Sequence, residues 1–265
     1  MLSLRCLRPA MQLGFALAVL TSANRVALAA EDPFQIMKKT EEVYLKAKSF
    51  QGVLQIMQQG KDAQGKMGSI STTQKIAFQA PNKFSFETTL KGTGSAQASA
   101  GGAQSMKCDG KTMTVYMPAQ KKYMKQPAPP TFSIMQIIGR FLPQTQNFTP
   151  KLLGDSIQGG KSAYHLQLQA QMPKDLPPSM TPEQKKQFEA NIRTSKPIEV
   201  YIEKGTYHLL AVKAQNPNIT VSVDFAQQMV NKPLSATTFV FTPPPGATEA
   251  KAGATQPGGA PPRKP

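Results

Sequence analysis

The chain has 265 residues, a formal net charge of +16 and two cysteines, Cys6 and Cys108. So positive a charge favours anionic partners, but most of it comes from scattered lysines rather than arginines, which argues against a phosphate-reading nucleic-acid surface. Because Cys6 falls in a segment that we expect to be removed, an internal disulfide is excluded and the fold must rest on its own core.

The first 29 residues have the order of a secretory signal peptide. Arg5 and Arg8 form a short positive region, residues 11–20 are almost wholly apolar, and Ala27-Leu28-Ala29 places small residues where a signal peptidase reads them. The apolar run is about half of the ~20 residues that a membrane-spanning helix needs. We therefore predict cleavage near Ala29 and a soluble mature protein, periplasmic or secreted, whose formal charge falls from +16 to +13 with the loss of three arginines.

Three helices are predicted. Asp32 is a capping residue, Pro33 suits a first helical turn, and apolar residues at helical spacing, Phe34 among them, extend to about Lys48. The apolar stretch 132–142 lies between prolines and predicts a short helix that other elements cover. A third helix, mostly exposed, is predicted over residues 180–193.

Between the helices the apolar residues follow a period of two, which predicts strands with one buried and one wet face. Residues 164–170 and 219–225 are clear examples, and turn signals such as Asp109-Gly110 separate the strands. We count about ten to twelve strands. The fold class is therefore mainly β (α+β), with one long antiparallel sheet that curls. Since short helices scarcely fill its concave face, we expect a lidded cavity.

Residues 30–242 hold all these elements and are long enough for one domain with its own core. Residues 243–265 are rich in Pro, Gly and Ala and have almost no large apolar side chain. They are predicted to form a disordered tail. A proline-rich spacer across the cell wall is the functional alternative for this tail.

Several segments, in this order after a signal peptide, resemble the periplasmic outer-membrane lipoprotein carrier (LolA-like) superfamily. They are Ser49-Phe50, Ala80-Pro81-Asn82-Lys83-Phe84, Asp109-Gly110-Lys111-Thr112, Val115-Tyr116-Met117-Pro118, Lys122-Tyr123 and residues 239–247 (Phe-Val-Phe-Thr-Pro-Pro-Pro-Gly-Ala). The resemblance implies a half-open antiparallel β-barrel that short helices close as a lid over an apolar cavity for acyl chains. In that superfamily, carriers take lipoproteins from the inner to the outer membrane, and relatives sense lipids or lipoproteins in envelope signalling. Arg140 is the candidate for the arginine that closes the lid of carriers.

The candidate ligand-binding residues form the expected cavity and its lid. Methionines in the middle of the chain are either ordinary core filling or an adaptable surface for flexible chains. The apolar stretch 132–142 is either the lid or a core helix, and as a lid it predicts that Ile138→Glu abolishes acyl-chain binding with the fold intact. The candidates are Phe84, Phe86, Met106, Met113, Val115, Met117, Phe132, Ile134, Ile137, Ile138 and Phe141.

The residue types that often serve in catalysis or metal binding are expected to have structural roles here. Cys108 is expected to be a buried thiol without an activating neighbour. His165 is expected on a wet strand face and His208 partly buried, and two such histidines make a poor metal site. No nucleophile elbow, phosphate loop or zinc-protease motif occurs. We expect no catalytic residue, no cofactor and no metal.

The sequence thus predicts an exported, non-catalytic protein that binds acyl chains of lipids or lipoproteins, with lipoprotein transport to the outer membrane as its specific form. The alternative is an envelope-stress signalling or scaffold protein that uses the same fold to bind a protein partner, and a small secreted enzyme is the third hypothesis. Partners would be acyl chains and inner- or outer-membrane proteins, not nucleic acid, and the protein would be a monomer.

Overall fold

The computed structural model describes residues 31–61, 65–94, 103–143, 145–172 and 180–250. These residues contain twelve strands, as the alternation predicted. The strands are β1 Ser49–Lys61, β2 Met67–Gln79, β3 Lys83–Gly94, β4 Ala103–Asp109, β5 Thr112–Met117, β6 Lys122–Pro127, β7 Phe148–Gln158, β8 Lys161–Ala170, β9 Ile198–Glu203, β10 Leu209–Gln215, β11 Ile219–Val230 and β12 Thr248–Glu249. The α-helices among the described residues are α1 Pro33–Leu45, α2 Met135–Ile138 and α3 Pro182–Thr194, and three short 3-10 helices also occur there.

All twelve strands belong to one sheet, in the order β12-β6-β5-β4-β3-β2-β1-β11-β10-β9-β8-β7. Neighbouring strands are antiparallel except β12 and β6, which are parallel. Most neighbours are joined by hairpins, but β1 pairs with β11, from the far end of the chain. The predicted architecture, a curved, open antiparallel sheet with short helices, is confirmed.

Helix α1 begins as its sequence predicted. The Asp32 carboxylate accepts a hydrogen bond from the Phe34 amide at 3.0 Å, and Pro33 occupies the first turn. The helix ends at Leu45 rather than near Lys48, because β1 starts four residues later. Phe34 is 45% exposed, so its predicted place on the apolar side is wrong. The buried side is formed by Ile36, Met37, Thr40 and Tyr44.

The main core lies on the concave face, between the sheet and the helices α1 and α2. Residues that face each other across β1 and β11, such as Leu54 and Phe225, are almost fully buried there. The core also takes Tyr44 from α1 and Ile138 from α2. Much of the concave face is therefore filled with side chains, in contrast to the expectation that short helices scarcely cover it.

Segment 132–142 is firmly tied to the sheet where it begins. The Phe132 amide donates to the Pro81 carbonyl at 3.0 Å. The Asn82 side-chain amide donates to the carbonyls of Gly110 and Pro129, each at 3.1 Å. The predicted short helix is confirmed as the single turn α2, and its first residues are fixed by the β2–β3 turn.

Helix α3 is an exposed helix with a strong start, as predicted. Thr181 and Gln184 form a capping box, in which each side chain bonds the backbone amide of the other. None of its residues is buried. Within the described residues, no helix is both long and apolar enough to cross a membrane.

The segment after β11 returns along the sheet. Phe239 is 2% exposed, and the Phe241 ring lies 5.7 Å from Tyr116 and 5.3 Å from Tyr123. The Thr248 amide then donates to the Lys121 carbonyl at 2.9 Å, which starts β12. Residues 243–250 thus differ from the disordered tail that was predicted from residue 243. Residues 251–265 and the predicted signal peptide lie outside the described residues.

The start of the described chain is held by a cluster of polar side chains. The Glu31 carboxylate accepts hydrogen bonds from Lys39, Tyr164 and Tyr207, the last at 2.8 Å. Lys39 also donates to the Tyr207 hydroxyl at 2.9 Å. The hydrogen bonds from Lys39 and Tyr164 lower the pKa of Glu31 to about 2. Glu31 therefore links α1 to the β8 and β9–β10 region.

Candidate functional site

The candidate site lies where β2, β3 and β4 run side by side. In-register residues of neighbouring strands share a face, so three cross-strand rows follow one another on the concave face. The deep row is Phe78 with Phe84 and Cys108, the middle row is Ile76 with Phe86 and Met106, and the outer row is Gln74 with Thr88 and Gln104.

Burial and polarity change together along these rows. Every member of the deep row is at most 2% exposed. In the middle row, Ile76 is buried while Phe86 and Met106 are partly exposed. The outer row is polar, and the Gln74 side-chain amide donates to the Thr88 hydroxyl at 3.3 Å. From the deep row to the outer row, the side chains on the concave face thus change from mainly aromatic to polar.

The Phe132 ring covers the apolar end of these rows. Its centroid lies 4.5 Å from that of Phe84, 5.8 Å from that of Phe86 and 5.9 Å from that of Phe78. Tilted and edge-on aromatic contacts at such distances stabilise beyond the area that they bury. Phe132 therefore separates the solid core from the open part of the concave face.

A half-open cavity of about 620 Å³ lies between segment 132–142 and strands β2 to β4. Its volume is within the range of small-molecule sites. Its apolar lining comes from the sheet on one side and from the segment on the other. The lining residues are Gln74, Phe86, Thr88, Gln104, Met106, Phe132, Gln136, Ile137, Arg140 and Phe141.

The candidate residues from the sequence fall into three groups. Phe86, Met106, Phe132, Ile137, Arg140 and Phe141 line this cavity. Phe84, Ile134 and Ile138 are at most 2% exposed and are buried instead. The apolar run of the segment has no clear period, and for this reason the sequence could not separate its core residues from its cavity residues.

Met113, Val115 and Met117 form the third group, on β5. They share the concave face with the rows, because Cys108 pairs with Met113 and Met106 pairs with Val115. Val115 is 7% exposed, and the two methionines are partly exposed. These three residues continue the apolar surface beyond the cavity without lining it.

The sequence analysis missed the polar part of the lining, Gln74, Thr88, Gln104 and Gln136. A signal for three of them was present. Gln74, Thr88 and Gln104 lie two residues from Ile76, Phe86 and Met106 respectively, on the same strand faces, where a polar residue interrupts an apolar stripe.

A second cavity, of about 550 Å³, lies on the other side of α2. Met37 and Glu41 of α1 line it, together with Gln136 and Arg140, which line the first cavity as well. Gln136 and Arg140 are exposed and four residues apart. Their side chains therefore stand at the boundary between the two cavities.

Cys108 and the histidines lie away from the cavity lining. Cys108 is 0% exposed, and burial raises the pKa of its thiol, as expected for an inert residue. His165, expected on a wet face, is half-buried, and its ring stacks on Tyr201 at 4.5 Å. His208 is partly buried as predicted, and burial lowers its pKa. Within the described ranges, no group of three or more His, Cys, Asp or Glu residues is placed to hold a metal ion.

The fold and the cavity place this protein in a structural class, that of proteins built on one curved antiparallel sheet with a half-open pocket on its concave face. Over residues 34–251 the chain matches the DUF2092 family, described as "Predicted periplasmic protein". The chain belongs to this family. No curated protein matches it.

Solved structures with low sequence identity are similar to this chain. Lipoprotein LppX of Mycobacterium tuberculosis is 11% identical, with 76% of this chain and 96% of that chain covered and a TM-score of 0.40. A LolA superfamily protein from Nitrosomonas europaea is 11% identical, with 80% and 99% covered and a TM-score of 0.29. The Pseudomonas aeruginosa MucA/MucB complex matches at 12% identity, with 78% and 60% covered and a TM-score of 0.37.

Proposed function

We propose that this protein is a non-catalytic binding protein of the periplasm that holds an acyl chain of a lipid or lipoprotein in the cavity between segment 132–142 and strands β2 to β4. The observation that carries the proposal is the change in polarity along the three rows. An apolar end under Phe132 and an amide-lined end near solvent match a molecule with one apolar and one polar end.

The energetics favour long chains. Each buried CH₂ contributes about 0.8 kcal/mol, so about ten methylenes contribute on the order of 8 kcal/mol. Association itself costs roughly 4–15 kcal/mol, which a chain of three or four methylenes, at about 0.8 kcal/mol each, does not offset. Acyl-chain affinity should therefore rise steeply with chain length until the cavity is full.

Segment 132–142 is the proposed gate. Its first residue is tied to the β2–β3 turn, and its helical part is a single turn. Seven backbone hydrogen bonds within residues 133–142 hold its shape, and Ile134 and Ile138 anchor it in the core, so the gate opens by movement of side chains. In this proposal the Ile137 side chain moves aside to admit a chain and then covers it, while Phe132 and Phe141 keep their contacts with the sheet.

Mass spectrometry of the organic extract from the exported, mature protein tests the proposal directly. A stoichiometric acyl species that is absent from an unrelated exported control protein would support it. If the extract is empty, the delipidated protein is titrated with a fluorescent acyl probe. Failure to bind the probe at any chain length would contradict acyl-chain binding.

A matched pair of variants ties the binding to the cavity. Ile137→Glu puts a charge into the cavity lining and should abolish probe binding, whereas Lys185→Glu on the exposed helix α3 should leave it unchanged. The Ile138→Glu test that follows from the sequence would not separate binding from folding, because Ile138 is 0% exposed and belongs to the core.

Delivery of lipoproteins to the outer membrane is the specific form of this function that we propose. The mature protein, at +13 once the predicted signal peptide and its three arginines are removed, would favour contact with anionic membrane surfaces. Transfer of a bound, labelled lipopeptide from inner- to outer-membrane vesicles, measured with and without the protein, tests this step. A protein that binds the lipopeptide but does not release it to either vesicle would be a sensor instead.

Binding of a protein partner is the second candidate function. Strand β7 ends the sheet, and its side chains Leu153 and Ile157 are 45% and 79% exposed. An outermost strand can pair with a strand of another chain. Crosslinking from position 157 in intact cells, followed by identification of the product, tests this alternative.

A further inference from the structure

Arg140 is the single charged residue in the lining of the first cavity. It is exposed, and no described residue forms a hydrogen bond or ion pair with its guanidinium. Only one other arginine, Arg193 on the exposed helix α3, belongs to the described part of the chain. An exposed arginine in a cavity lining, with no partner for its guanidinium among the described residues, leaves five donors for a ligand.

Other polar groups line the same cavity as this guanidinium. Gln136, one helical turn before Arg140, lines the same cavity, as does the outer row of Gln74, Thr88 and Gln104. These groups are uncharged. An oxygen-rich ligand group would therefore meet one positive charge, several neutral donors and no carboxylate among the residues that line this cavity.

We propose that the ligand is an anionic amphiphile, whose carboxylate or phosphate pairs with Arg140 while its apolar chain extends toward Phe132. The planar guanidinium binds either oxyanion through two parallel hydrogen bonds. Phe86, Met106 and Ile137 receive the chain. This inference rests on the proposed function and adds the chemical class of the head group.

The charge on α1 decides on which side of α2 the head group binds. Glu41 lines the second cavity together with Arg140, and its negative charge disfavours an anion there. The first cavity has no acidic lining residue. The oxyanion therefore binds Arg140 on the side of the first cavity, at the same end as the amide-lined outer row.

Matched ligands with one chain length test the head group. Dodecanoic acid, dodecyl phosphate and dodecanol are competed against a neutral fluorescent acyl probe at pH 8, where the carboxylic acid is ionised. We expect at least one of the two anions to bind at least tenfold more tightly than the alcohol. The tighter anion identifies the head group as carboxylate or phosphate.

Variants assign the preference to Arg140. In Arg140→Gln the anion and the alcohol should bind within about twofold of each other, Arg140→Lys should keep part of the preference, and Arg193→Gln should keep all of it. Thermal unfolding checks that each variant is folded. A preference that survives in Arg140→Gln would overturn the assignment.

The result also separates this inference from the function on which it rests. If the alcohol binds as tightly as both anions, the head-group inference is wrong and acyl-chain binding stands. If none of the three ligands displaces the probe or the probe itself does not bind, the proposed function fails, and the head-group inference fails with it.

Discussion

The ring of Phe132 lies 4.5 Å from the ring of Phe84, the closest aromatic contact between segment 132–142 and the sheet that the described residues show. At the other end of the segment, Phe141 lies 6.0 Å from Phe225. Ile137, between them, lines the cavity. The segment is thus attached to the sheet at both ends, and its middle faces the open space.

Replacement of Phe132 by alanine should weaken both the fold and the ligand site. Loss of its ring contacts should lower the free energy of unfolding by about 2 kcal/mol, less than for a fully buried Phe because Phe132 is partly exposed. The affinity for an acyl probe should fall as well, because the apolar end of the cavity opens. Urea denaturation followed by circular dichroism and probe titration measure the two effects.

Phe132→Leu is the control for this prediction, since it keeps an apolar side chain at the same position. It should retain most of the stability and measurable probe binding. Unchanged affinity in the alanine variant, despite the lost stability, would mean that Phe132 serves the core alone.

Replacing each of two adjacent isoleucines by alanine should have opposite effects: one variant should lose mainly stability and the other mainly probe binding. Ile138 is 0% exposed in the core, so Ile138→Ala should lower the free energy of unfolding by about 3 kcal/mol. Ile137 is only partly buried and lines the cavity, so Ile137→Ala should cost less than about 1 kcal/mol yet weaken probe binding. Denaturation and probe titration of both variants, at one temperature and pH, compare the two.

A variant pair with the reverse pattern would contradict the assignment of the cavity. Strong destabilisation by Ile137→Ala without loss of affinity would place Ile137 in the core. Normal stability with lost binding in Ile138→Ala would place Ile138 at the ligand.

The sequence predicted what local chemistry determines. Residues 219–225 alternate strictly and form the first part of β11, and the Asp109-Gly110 turn joins β4 to β5. Both depend on nearest neighbours along the chain. The pairing of β1 with β11 depends on residues such as Phe50 and Val230, far apart in the sequence, and no local pattern specifies that register.

The errors have physical causes as well. Phe34 is apolar at the expected helical spacing, but the core contacts of α1 come from residues such as Ile36 and Tyr44, which leaves Phe34 exposed. Residues 243–250 have the composition of a tail, but backbone hydrogen bonds to the edge of β6 order them without large side chains. Amino-acid composition indicates how much side-chain surface a segment can bury, but it does not indicate whether the backbone of the segment pairs with a strand.

Cys108 should react slowly with thiol reagents in the native protein. Its side chain is 0% exposed in the deep row, and burial raises the pKa of its thiol, so both access and thiolate formation are suppressed. In a chain that starts at Glu31 it is the sole cysteine. The rate of reaction with Ellman's reagent at pH 8, compared with the rate in urea, measures this protection.

The same thiol reports ligand binding. If the thiol reacts through global unfolding, a ligand at 100 times its dissociation constant should slow the reaction about 100-fold. Rapid labelling of the native protein without ligand would show that the β3–β4 region opens locally.

Glu31 should make the free energy of unfolding of the domain fall as the pH is lowered into the acid range. Its carboxylate accepts hydrogen bonds from Lys39, Tyr164 and Tyr207, and these lower its pKa from 4.5 to about 2. A lowered pKa in the folded state means that the ionised form stabilises the fold. This stabilisation is fully present above pH 4.5 and is lost as the pH falls from about 4.5 to about 2.

Glu31→Gln should therefore be less stable than the wild-type protein at pH 7, and the difference between them should shrink below pH 4.5 and vanish near pH 2. Free energies of unfolding in urea, measured at intervals from pH 7 to pH 2, follow this convergence. Glu42→Gln is the control, because Glu42 pairs with Lys46 on the exposed surface of α1, where such a pair contributes little. An equal loss of stability at every pH would mean that the shape and neutral hydrogen bonds of Glu31, rather than its charge, hold this end of α1 against the sheet.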